Sequence, residues 1–107
     1  MTEVHVSPEF QNDLISIADY AAFLTNDSEA AARIVSGLLD TADQLAVFPR
    51  SGKKLFLPGG LDSGFRCIVY KRYLIVYRIQ NDEVYILRAV HSAQDHMRIL
   101  FPGAGEK

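Results

Sequence analysis

Three features of the chain predict an α+β fold ordered β-α-α-β-β-β. They are a short alternating strand before a proline-started helix, a second amphipathic helix after a four-residue polar turn, and three β-rich runs in the second half. Strands and helices alternate too rarely for a doubly wound parallel sheet, so an antiparallel helical hairpin should cover one face of a small antiparallel sheet. The 107 residues, 49% hydrophobic and 22% charged, suit one domain over 1–107, with 101–107 read as a flexible tail.

Glu3-Val4-His5-Val6 alternates as a half-buried strand does. Ser7-Pro8-Glu9 then supplies a cap, a proline suited to the first helical turn and an acid at the positive helix end. Phe10, Leu14, Ile17, Ala21 and Leu24 form one stripe of the helix that starts at Pro8, with Gln11, Asn12, Asp13 and Asp19 facing away. Thr25-Asn26-Asp27-Ser28 makes the turn, and Asn26 followed by Glu29 has capping-box spacing. The second helix presents Ala31, Ile34, Val35, Leu38, Ala42 and Leu45, and stops near Phe48 because Pro49 disfavours a helical residue before it.

Residues 49–64 read as an irregular basic loop, broken by Pro49, Pro58, Gly52, Gly59, Gly60 and Gly64 and carrying Arg50, Lys53 and Lys54. Three strands follow over 65–70, 73–79 and 83–91, joined by the tight turns Lys71-Arg72 and Asn81-Asp82 into a meander. Strict alternation would place Val84, Ile86, Arg88 and Val90 on one face of the last strand and Tyr85, Leu87, Ala89 and His91 on the other. Arg88 then stands among aliphatics, and its guanidinium requires a carboxylate, a phosphate or water. On the first strand of the meander Arg66, Ile68 and Tyr70 share one face, and Phe65, Cys67 and Val69 share the other, read as core.

The net charge of −2 conceals a division: residues 1–48 hold eight acidic residues against Arg33, whereas residues 49–100 hold nine basic against four acidic. The basic half can attract phosphates or an acidic partner segment. No apolar run approaches the roughly 20 residues that span a bilayer, and Met1-Thr2-Glu3 does not open as a signal peptide does, so a cytoplasmic protein is expected. His5, His91 and His96 lack metal-ligand spacing, Cys67 is alone, and there is no phosphate-loop motif, so no metal or cofactor is expected. His91 and Asp95 are spaced for a hydrogen bond, but nothing marks Ser92 as an activated nucleophile. What remains is a surface of Arg66, Lys71, Arg72, Arg78 and Arg88 interleaved with Tyr70, Tyr73, Tyr77 and Tyr85, suited to RNA or to an acidic helical partner. Some of these arginines should pair with the acidic helices.

Several segments, in order, carry a resemblance: Val6-Ser7-Pro8-Glu9 with Asp13-Leu14 and Ile17, Ala31-Ala32-Arg33, Leu45 to Gly52, and Gly64-Phe65-Arg66. The same holds for Tyr73-Leu74-Ile75-Val76-Tyr77-Arg78 and for Ile86-Leu87-Arg88-Ala89-Val90-His91 with Gln94-Asp95. Over nearly the whole chain this pattern resembles the RelE/ParE toxin superfamily of type II toxin–antitoxin systems, in its ParE-like branch. The resemblance implies a toxin without catalytic residues or cofactor that inhibits DNA gyrase. It also implies a hetero-oligomer with a ParD-like antitoxin, whose C-terminal segment wraps the toxin. Arg66, Tyr70, Arg72, Tyr73, Arg78, Arg88 and His91 are the candidates for binding antitoxin or target. The alternative is a RelE-like, ribosome-dependent mRNA endonuclease using Arg66, Arg88 and His91. Ile68 and Leu74 stand where RelE carries basic residues, and an aliphatic side chain cannot neutralise a phosphorane-like transition state. A plain protein-binding module is the third reading.

Overall fold

In the computed structural model, which describes residues 2–92, Ser7 starts the first helix as its sequence foretells. Its hydroxyl accepts the amide of Phe10 at 2.9 Å and donates to the carbonyl of Leu87 at 2.7 Å, so one side chain caps the helix and ties it to the last strand. The elements are β1 (Val4–Val6), α1 (Pro8–Thr25), α2 (Ser28–Gln44), β2 (Lys53–Phe56), β3 (Asp62–Tyr70), β4 (Tyr73–Gln80) and β5 (Glu83–His91). Gln94, Asp95, His96 and the tail expected over 101–107 lie outside the described residues.

Asn26 does not cap α2. It takes φ 53°, the left-handed conformation that ends α1, and this excludes the extended backbone of an N-cap. Asp27 caps instead, accepting the amides of Glu29 and Ala30. Helix α2 ends at Gln44, short of Phe48, and the amides of Leu45, Ala46 and Val47 bond three residues back in a tightening turn.

The five strands lie in the order β1-β5-β4-β3-β2. β1 runs parallel to β5 and every other pairing is antiparallel, so the sheet is mixed. β2 comes from the segment read as irregular: Lys53, Lys54 and Leu55 pair with Cys67, Arg66 and Phe65. Two lysines on a four-residue edge strand give no alternation to read, and such charge is how edge strands resist pairing with other chains. The β4–β5 turn places both Asn81 and Asp82 at positive φ, as a two-residue hairpin requires.

Strict alternation fails on β5. Tyr77 pairs with Ile86 and Val76 with Arg88, which leaves Leu87 as the extra residue of a bulge. Val84, Ile86 and Ala89 therefore join the core with Phe10, Leu38, Ala42, Leu45, Ile75 and Tyr77, in place of the predicted series through Arg88. On β3 the core face is the one with Ile68 and Tyr70, whereas Val69 is 60% exposed. Cys67 thus lies on the face away from the core; partial burial raises its thiol pKa, an effect opposed by Lys53. The hydroxyl end of Tyr70 packs against α2, where a Cβ at Gly37 would sit 2.0 Å from its phenol oxygen.

Phe10 and Ala21 are buried along α1, with Leu14 and Ile17 packed against the core, but Leu24 is 63% exposed. Leu38→Ala should cost about 2–5 kcal/mol in chemical denaturation, as expected for a fully buried leucine. Leu24→Ala should change stability by less than about 0.5 kcal/mol.

Candidate functional site

Tyr77 is wholly buried, and its hydroxyl donates to the carbonyl of Pro49 at 2.8 Å while accepting the amide of Gly52 at 2.9 Å. Burial pushes the Tyr77 phenol pKa up, against the opposing effects of the Gly52 amide and Arg66. A Cβ at Gly52 would approach the Tyr77 oxygen to 2.6 Å and the carbonyl of Cys67 to 2.7 Å, so the close approach of this loop to the sheet requires glycine. Arg66 completes the joint by donating from Nη1 to the Gly52 carbonyl at 2.9 Å. The candidate cation Arg66 is thus partly occupied in holding the 49–52 loop on the sheet. Around it a depression is lined by Arg50, Lys54, Asp62, Phe65 and Ile79, with Lys54 paired to Asp62 at 3.7 Å.

Arg88 obtains its carboxylate from within the chain. Its Nε donates to Asp13 Oδ2 at 2.7 Å and its Nη2 to Oδ1 at 3.0 Å, a two-pronged ion pair. The same Asp13 Oδ2 accepts the amide of Ala89 at 2.9 Å. Asp13 does not face away from the fold as its helical phase suggested, since its side chain is 15% exposed. The hydrogen bonds to Asp13 raise the Arg88 pKa above its ordinary value.

The other candidates separate into two groups. Tyr73 and His91 are cross-strand partners in edge-to-face contact at 5.4 Å, near Tyr70 at the turn end of the sheet. Arg72 in that turn is exposed, and its carbonyl accepts the amide of Ser92. Arg78 belongs to the opposite face, 5.7 Å from the ring centre of Tyr85, on which the His5 ring stacks. Arg66, Tyr73 with His91, and Arg78 therefore do not converge on one centre. Sequence reasoning missed Asp13 and Gly52, whose roles depend on contacts across 75 and 25 residues. It also dismissed His5, which the fold brings beside Glu3 and Glu83.

A family model described as "ParE toxin of type II toxin-antitoxin system, parDE" matches residues 4–96. The chain is similar in fold to a structure of the chromosomal ParDE toxin–antitoxin system from P. aeruginosa. There the TM-score is 0.70 and identity 20%, over 85% of this chain and 96% of the other. It is also similar to the toxin–antitoxin complex RelBE2 from Mycobacterium tuberculosis, with a TM-score of 0.62 and 23% identity over 84% and 96% of the two chains. No curated protein sequence matches the chain.

The Asp13–Arg88 pair should be measurable in a double-mutant cycle. Arg88→Ala should cost about 1.5–3 kcal/mol of folding stability, the range for hydrogen bonds to charged groups. Its cost in an Asp13→Ala background should be clearly smaller, since neighbouring partners are not additive.

Proposed function

Because the chain belongs to the ParE toxin family of type II toxin–antitoxin systems, we propose that it is a cytoplasmic poison of DNA gyrase, silenced by a ParD-like antitoxin. The family match over residues 4–96 carries this reading. An antitoxin is the partner class of the similar structures, which are of toxin–antitoxin systems. The surface supports an acidic, amphipathic partner segment. Arg50, Lys53, Lys71, Arg72 and Arg78 are exposed, as are the apolar side chains of Phe56, Leu61 and Val69. Among the described residues no helix is long and apolar enough to cross a membrane.

The site chemistry favours target binding over RNA cleavage. Ile68 packs against the core, Leu74 pairs with Val69 and Val90 inside the sheet, and neither offers a cation. Arg88 is neutralised by Asp13, and Arg66 is bonded to the Gly52 carbonyl. One observation supports the second reading, a RelE-like nuclease: Arg50, Lys54 and Arg66 line a common depression in which three cations face the single carboxylate of Asp62, a balance that favours a phosphate.

Two assays separate the readings. Purified chain added to gyrase, plasmid and ATP should block supercoiling or accumulate cleaved DNA, and antitoxin should reverse the effect. The same protein should leave mRNA on translating ribosomes intact. Ribosome-dependent cleavage that is lost in folded Arg66→Ala or His91→Ala protein would replace the gyrase reading with the nuclease.

A further inference from the structure

On the sheet face away from the helices, one row crosses three strands: Arg78 on β4 is paired with Tyr85 on β5, which is paired with His5 on β1. The His5 ring stacks on Tyr85 with centroids 4.8 Å apart and planes 18° from parallel. Glu3 precedes His5 by two residues and Glu83 precedes Tyr85 by two, so strand alternation delivers both carboxylates beside the imidazole. His5 Nε2 lies 2.5 Å from Glu83 Oε1 and 3.7 Å from Glu3 Oε2, and the three ligand atoms are all within 4.8 Å of one another.

We propose that Glu3, His5 and Glu83 form a binding site for a divalent transition-metal ion of borderline hardness, of which zinc is the type. One imidazole nitrogen and two carboxylate oxygens, with no thiolate, suit such an ion, and the imidazole disfavours calcium and magnesium. Metal–ligand bonds of about 2.0–2.2 Å in tetrahedral geometry put ligand atoms about 3.4 Å apart. The observed spacings straddle that value, and rotation of the partly exposed Glu83 side chain can open the His5–Glu83 contact by about 1 Å. Imidazole ligands are generally held by a contact outside the ligand set. Here the orientation of the ring comes from stacking on Tyr85, whose hydroxyl also lies 3.5 Å from Glu83 Oε1.

Solvent reaches the cluster directly, since the His5 and Glu83 side chains are 44% and 37% exposed. Glu3 and Glu83 also line a depression with Asp82, whose negative charge attracts a cation. A bound ion would clip the three-residue strand β1 to β5 immediately before Ser7, where α1 begins. It would therefore stabilise the fold by fixing β1 against β5. The competing account is a His–carboxylate ion-pair cluster only, which at this exposure contributes little.

Zinc chloride titrated calorimetrically into the full chain, after chelator treatment and chelator removal, separates the two accounts. The proposal predicts one zinc per chain, a raised melting temperature, and no saturable response to calcium or magnesium chloride. His5→Ala and Glu83→Gln, each checked for folding by circular dichroism, should weaken zinc binding by about tenfold or more. Glu3→Gln, at an exposed position, provides the same test should either variant fail to fold. Absence of saturable zinc binding, or binding of unchanged affinity in folded variants, would overturn the site and leave the ion-pair cluster only.

Discussion

The carboxylate of Asp13 is the constraint on which the arrangement of helices and sheet depends. β1 ends at Val6, paired with Ile86, and among the described residues β5 has no strand neighbour on that side from Leu87 onward. Backbone groups at such an edge must find partners if they are shielded from water. The start of α1 provides them: Ser7 Oγ donates to the Leu87 carbonyl and Asp13 accepts the Ala89 amide. The helix thus continues in side chains the pairing that β1 made in backbone. Arg88 balances the charge this places against the sheet, and the bulge at Leu87 leaves Ala89, and not Arg88, in the core.

A second joint holds the opposite end. Tyr77 and Arg66 fasten the loop between α2 and β2 through three hydrogen bonds, two at the buried Tyr77 hydroxyl and one from Arg66 to the Gly52 carbonyl. Between the two joints, Phe10, Leu38, Ala42 and Leu45 of the helical layer meet Ile75, Val84, Ile86 and Ala89 of the sheet. Arg66 and Arg88, the two arginines most suggestive of chemistry, are thereby engaged in holding the fold. The cations left exposed, among them Lys53, Lys71, Arg72 and Arg78, are those a partner can reach.

Much of this was legible in the sequence because it is local. The Ser7-Pro8 start, the two amphipathic helices and the Asn81-Asp82 turn rest on contacts or backbone preferences within a few residues. What escaped was non-local or depended on a single residue's backbone state. Nothing near Asp13 announces Ala89 or Arg88, and a bulge shifts alternation without changing composition. Asn26 and Asp27 are both good caps, and the choice between them follows from Asn26 taking the left-handed conformation that closes α1. β2 was hidden because its pairing with β3, and not its own pattern, makes it a strand.

Native-state hydrogen exchange at the Ala89 amide, compared between the parent chain and Asp13→Ala, tests the central role of this carboxylate most directly. The structure predicts strong protection of that amide in the parent. In the folded variant it should be lost selectively, while the Ser7 amide, bonded to the Ile86 carbonyl at 3.0 Å, remains protected. An Ala89 amide that exchanges freely in the parent chain, or that is equally protected without Asp13, would contradict the account.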